Sequence, residues 1–185
     1  MSLGREQVEE LVATRVADAN LQRHMRACEA IMRALATRLG EDPDLWGLAG
    51  LAHDLDSETT ADDVSRHGTE AAAVLESLGA PAAVVHAVAA HNAATGVAAE
   101  SRLDVALVVA DQLSGLVTAA ALVRPDKALA GVRPKSVRKR FREGAFARGV
   151  DRAAIARCAE LGLELDETLA LGLETMQDVA AELGL

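Results

Sequence analysis

Five histidines stand between residues 24 and 91, and the last 94 residues hold none. Four of them, His24, His53, His67 and His91, are accompanied by two notable acids. Asp54 directly follows His53 in the run LAGLAHDLD, and Asp111 comes later in VVADQLSGL. Imidazole nitrogens with carboxylate oxygens are the donor set of borderline divalent metals, and a metal so held can activate water. One spatial cluster explains such a distribution; random surface placement does not. Taken singly, a histidine on an apolar stripe is more often a hydrogen-bonded core residue, and a His-Asp pair at a helix end can be a mere cap. Asp111 is harder to dismiss. A buried carboxylate needs a cation, and its own segment has no Lys or Arg between Arg102 and Arg124.

Helical spacing tests whether these groups face inward. Leu21, His24, Cys28, Ile31 and Leu35 follow a 3,4,3,4 pattern, which puts His24 on an apolar face. His67 falls in a stripe with Ala71, Val74 and Leu78, and His91 follows Val84 and Val88. Asp111 sits among Leu107, Val108, Ser114, Gly115 and Thr118. His86 lies about 140° around an ideal helix from His91 and is expected to be peripheral.

The elements needed to carry these residues can be read from caps and breakers. A short helix over 4–17 is followed by a long one capped by Asn20 and closed by Gly40. Asp42-Pro43 opens a third that ends at His53-Asp54. The polar stretch DSETTADDVS reads as a loop. Helices over 66–78, from Pro81 to near His91, and over 101–123 come next. Short helices separated by turns are expected in 124–148, and two last helices over 152–162 and 167–183, capped by Asp151 and Asp166. Alanine and leucine dominate, and aromatic residues make up 2% of the chain, which favours helices over a sandwich or barrel. The fold expected is all-α, a single domain over 1–185. Its metal-site core spans 20–123, with the basic segment and the helices of 151–183 packed on it.

Composition also limits partners and compartment. Two isolated cysteines, Cys28 and Cys158, make no disulfide framework, and the acidic start of the chain is unlike a secretory leader, so a cytoplasmic location is expected. Residues 103–123 are long enough to span a membrane, but Asp104, Asp111 and Gln112 would be costly in hydrocarbon; a buried core helix is expected instead. The net charge of −9 disfavours nucleic-acid polymers. Residues 124–148 hold nine Lys/Arg against Asp126 and Glu143, so the rest of the chain carries −16. Arg124, Lys135, Arg138 and Lys139 are therefore the expected binding groups for a small anion.

His24, the adjacent His53-Asp54 pair and the distal Asp111 together resemble the HD-domain superfamily of metal-dependent phosphohydrolases. The strings HDLD, RHG, AHN, the AD-L-GL stretch and ALVRP…KSV are similar to its small HDIG-type group, over nearly the whole chain. The resemblance implies a helical bundle of the HD type. It implies His24, His53, Asp54 and Asp111 as ligands of Mn, Fe, Ni, Co, Zn or Mg, with His67 and His91 either holding a second ion or acting with Asp54 in catalysis. The substrate implied is a small phosphate ester or nucleotide. Glu58 and Asp56 are candidates for the acid that protonates the leaving group. A His-His pair and a GYP motif found in the cyclic-dinucleotide branch are absent, since His91 is followed by Asn92. A di-iron oxygenase of the same family, or a metal-stabilised binding module, are the alternatives.

Overall fold

The computed structural model describes residues 3–185. Ten α-helices and three 3-10 turns form among them, with no strand. The helices are α1 (Arg5–Arg15), α2 (Ala19–Leu39), α3 (Pro43–Ala52), α4 (Thr69–Ser77), α5 (Ala82–Ala90), α6 (Arg102–Leu122), α7 (Pro134–Arg142), α8 (Arg152–Ala156), α9 (Leu165–Asp178) and α10 (Ala180–Leu183). The chain is all-α, as its composition predicts.

The core is built on α6. Leu107, Leu113 and Leu116 are fully buried, and α2, α3, α5, α7, α8 and α9 all pack against this helix. It is long and apolar enough to cross a membrane, but here most of its apolar surface is covered by its neighbours. Its polar start is satisfied locally. Ser101 Oγ accepts from Asp104 N, while Asp104 Oδ2 accepts from the backbone N–H groups of Glu100 and Ser101. His86 lies 3.0 Å from the same oxygen and so ties α5 to the head of α6, away from the other histidines.

The α2–α3 pair positions the first half of the site. A Cβ built on Gly50 would lie 2.8 Å from the carbonyl carbon and oxygen of Cys28 and 2.9 Å from Glu29 Cα. Those neighbours are backbone and cannot swing aside, so only glycine permits this approach. We expect Gly50→Ala to force the two helices apart at a cost of about 1–3 kcal/mol. Calorimetry should show a Tm lower by roughly 2–12 °C for a chain of this size. An unchanged Tm would mean that the close approach is not needed for folding.

Several boundaries differ from expectation for identifiable reasons. The N-cap of α2 is Asp18, not Asn20: its carboxylate accepts from Asn20 N at 2.7 Å. Helix α4 starts at Thr69, because Gly68 adopts φ +95° and the chain before it is wound in turns. Its buried stripe is Ala71, Ala72 and Leu75, while Leu78 is exposed. Asp166 lies within the first turn of α9 rather than capping it, and Val179 interrupts the last helix before α10. Gly40 and Asp151 cap as their types predict.

Candidate metal centre

Five segments converge on one point. His24 comes from the second turn of α2, His53 and Asp54 from the end of α3, and His67 from the turn before α4. His91 closes α5, and Asp111 projects from the middle of α6. Successive imidazoles pack edge to face, with ring centroids 5.2 Å apart for His24–His53, 5.1 Å for His53–His91 and 4.8 Å for His67–His91. Asp54 stands at the centre. Its Oδ1 lies 3.3 Å from His53 Nε2, 3.2 Å from His67 Nε2 and 3.5 Å from His91 Nε2. Its Oδ2 faces the other way, 3.6 Å from His24 Nε2, which is itself 3.1 Å from Asp111 Oδ1.

The hydrogen bonds behind the rings decide what the inward nitrogens are. His53 Nδ1 meets the Gly50 carbonyl at 2.9 Å, and His91 Nδ1 meets the Val88 carbonyl at 2.6 Å. A carbonyl only accepts, so both Nδ1 atoms carry hydrogen. In the neutral ring each Nε2 is then a bare lone pair. His67 Nδ1 donates to Asp56 Oδ1 at 2.9 Å. Ser114 donates its hydroxyl hydrogen to the Asp111 carbonyl and accepts from His24 Nδ1 at 2.9 Å. All four rings therefore turn the same nitrogen inward, with the other held by an outer partner, as metal-ligating histidines do.

That arrangement fits a cation and little else. His53 is completely buried and its Nε2 has no hydrogen-bond partner, yet it points at the oxygens of Asp54 and Asp111. Acceptor facing acceptor is repulsive unless a positive charge lies between them. The C-terminal ends of α3 and α5, both partially negative, add to the demand. Two groups of donor atoms each lie within 4.8 Å of one another: His24, Cys28, His53 and Asp111, and His53, Asp54 and His91. With protons alone to balance the charge, the burden falls unevenly. Burial pushes His53 down to about 4, so it stays neutral. Burial also opposes the charge on His67, but its contacts with Asp54 and Asp56 prevail and raise it to about 10. Burial would raise Asp54, yet the surrounding imidazoles hold it well below the usual carboxylate range.

All six residues expected to ligate or catalyse, His24, His53, Asp54, His67, His91 and Asp111, are thus brought together. The basic segment is not. Arg124 lies thirteen residues beyond Asp111, about 20 Å along the helix direction, and is spent on Asp126 and the Gly131 carbonyl. Arg138 pairs with Asp166 on α9 at 2.6 Å, and Lys139 lies 3.8 Å from Glu143. Lys135 lines none of the three grooves that touch the cluster. These cations follow the nearest carboxylates rather than the site. Neither acid expected to serve a leaving group is free. Glu58 accepts from the backbone N–H groups of Ala17 and Asp18, clamping the α1–α2 junction. Asp56 Oδ2 accepts from Gly68 N and Ala71 N, capping α4 in place of the side chain Gly68 lacks.

Ser114 and Gln112 are the residues that pattern reading missed, and Asp56, expected as an acid, has an orienting role instead. Gln112 Nε2 donates to Asp111 Oδ2 at 2.7 Å, and its Oε1 accepts from Asp151 N. Each orients a cluster member from behind. We expect Asp56→Asn to lower metal affinity by about 10–100-fold, the usual cost of losing an outer partner. The asparagine amide can donate to His67 Nδ1, which drives the ring hydrogen onto Nε2 and removes its lone pair from the centre. Titration with Mn²⁺ checks this; an unchanged affinity would show that His67 does not ligate.

Besides a groove of about 320 Å³ that meets His91 beside Arg157, two more touch the cluster. One, of about 350 Å³, has His67, His91 and Asp111 on its floor and Asn92, Gln112 and Asp151 on its walls. The other, of about 360 Å³, touches His24 and is lined by Arg23, Thr118 and Leu122. No curated protein and no solved structure matches this chain. A family model described as the HD domain matches residues 21–116, from α2 through most of α6, which takes in every residue of the cluster. With that match over more than half its length and a His/Asp cluster that could hold a metal ion, the chain belongs to the HD-domain family, typically metal-dependent phosphohydrolases.

Proposed function

We propose that the protein hydrolyses a small phosphate ester or nucleotide with the help of one or two divalent cations. The observation that carries this is the set of inward Nε2 lone pairs confronting the oxygens of Asp54 and Asp111. His24, His53, Asp54 and Asp111 would hold one ion. Asp54, with one oxygen toward His24 and the other toward His67 and His91, is suited to bridge to a second. A cation held there supplies a nucleophile from water at neutral pH and neutralises charge on phosphoryl oxygens.

The chain's own groups supply the rest. The 350 Å³ groove suits a small ester, and its floor brings the phosphate beside His67, His91 and Asp111. Its walls carry no Lys or Arg, and the amides of Asn92 and Gln112 are engaged within the protein, so the centre itself would balance the phosphate charge. If a single ion sits with His24, His67 is left to hold a proton on Nε2 and pass it to the leaving oxygen. Asp56 keeps that ring aligned.

The test is metal analysis of the purified protein, followed by a screen of phosphomonoesters, nucleotides and cyclic nucleotides with Mg²⁺, Mn²⁺ or Zn²⁺. Turnover that depends on the added ion supports the reading. Two bound irons with an oxygen-dependent spectral change, and no hydrolysis, would assign the same cage to oxygen chemistry instead. Tight metal without turnover of any kind would leave a binding module.

A further inference from the structure

Cys28 stands four residues after His24 on α2 and is fully buried. Its Sγ lies 3.7 Å from His24 Nε2 and 3.5 Å from Ser114 Oγ. With Zn–S near 2.3 Å and Zn–N near 2.0–2.1 Å, sulfur and nitrogen on adjacent corners of a tetrahedron are about 3.6 Å apart. The sulfur and His24 Nε2 are therefore already spaced as co-ligands. Donor atoms of Cys28, His24, His53 and Asp111 all fall within 4.8 Å of one another, and His53 contributes the buried nitrogen that has no partner. The sulfur also has little freedom to retreat. Its backbone is pinned by Gly50 of α3, and its helix is locked against α6 by the His24–Ser114 contact.

We propose that Cys28 is a metal ligand of this centre, so that the ion held with His24, His53 and Asp111 is a thiophilic one such as Zn²⁺ or Co²⁺ rather than Mg²⁺ or Mn²⁺. Thiolate is a soft donor and biases a site in that direction. On uptake the S–H bond of Cys28 breaks, its electron pair goes to the ion, and the proton leaves to the solvent buffer. The inference rests on the reading of the cluster as a metal centre, and it adds a donor that the His/Asp pattern does not include. Its consequence is selectivity. An all-nitrogen-and-oxygen centre would accept manganese or magnesium readily, whereas a sulfur on one corner penalises both.

Cobalt substitution of the full chain under anaerobic conditions reads the sulfur directly. The Co²⁺ form should show visible ligand-field bands together with a near-ultraviolet sulfur-to-cobalt charge-transfer band. Cys28→Ser and Cys28→Ala should each lose the charge-transfer band while keeping the ligand-field bands. Cys158→Ser, which alters the only other cysteine, should keep both. Competition should show the preference for Zn²⁺ over Mn²⁺ falling by about tenfold or more in Cys28→Ala, at least the lower end of what loss of an outer partner costs. Ligand-field bands without a charge-transfer band in the unaltered protein would overturn the proposal and leave the metal centre standing. A charge-transfer band that survives both changes at Cys28 would overturn it as well. Absence of any cobalt spectrum would remove the centre and the thiolate together.

Discussion

Asp54→Ala is expected to empty the centre of metal and to lower any turnover by at least about a hundredfold, the upper end of what loss of a mere outer partner costs. The expectation follows from where its two oxygens point. Oδ1 lies within 3.5 Å of the inward nitrogens of His53, His67 and His91, and Oδ2 is 3.6 Å from that of His24. Among the described residues, no other carboxylate approaches all four inward nitrogens in this way. Asp111 reaches His24 at 3.1 Å and His53 only at 4.0 Å, so Asp111→Ala should spare a part of the metal that Asp54→Ala loses. Metal content of the two variants, measured beside initial rates, separates them. Equal retention of metal by Asp54→Ala and the unaltered chain would show that the carboxylate does not ligate, and the bridging role would fall with it.

The parts of this site that periodicity could reveal are those on helices. His24 shares a face with Cys28, Ile31 and Leu35 because α2 is regular through all four; the last three are buried as the 3,4 spacing predicts, and His24 is half-buried. The adjacency of His53 and Asp54 puts two donors at one helix end whatever the rest of the chain does. Asp56 had no such signature. It works by side-chain contacts across a turn, to Gly68, Ala71 and His67, and only the folded path of residues 53–68 creates those contacts. The choice of Asp18 over Asn20 as a cap was likewise settled from a distance, by Glu58 clamping the junction in front of it.

Charge patterning misled for a different reason. A run of Lys and Arg records composition but carries no information on depth or direction. Arg124 turns to Asp126, and Arg138 to Asp166, because an exposed guanidinium finds a carboxylate at short range. Arg23 lines the groove on the His24 side and hydrogen-bonds Asn20. Standing alone in sequence between Gln22 and His24, it offers no pattern to notice. The acidic and imidazole groups were legible because burial makes them expensive, and expense leaves a mark on the neighbouring apolar residues. Surface cations leave none.

Metal removal should destabilise the fold, and the loss should grow as pH rises. An ion present at a hundred times its dissociation constant stabilises by about 2.7 kcal/mol. For a chain of this length that amounts to a Tm roughly 5–11 °C lower after chelation. The pH dependence comes from the protons that replace the ion. His67 in the folded, metal-free chain is raised to about 10, above its unfolded value near 6.5. Its protonated form therefore contributes stability that is full below about 6.5 and is lost as pH rises through 10. The depressed Asp54 and Asp111 contribute above about 3.9, their usual value, and that part is lost only as pH falls through their lowered values. Between pH 6.5 and 8.5 the metal-free chain thus loses some of what His67 gives it. Over the same range an ion competes with fewer protons, by up to about 1.4 kcal/mol per pH unit for each proton displaced. Scanning calorimetry with and without chelator at those two pH values reads both effects at once. The gap in Tm should be wider at pH 8.5. A gap that is absent, or equal at both, would mean that no ion competes with the protons on these imidazoles.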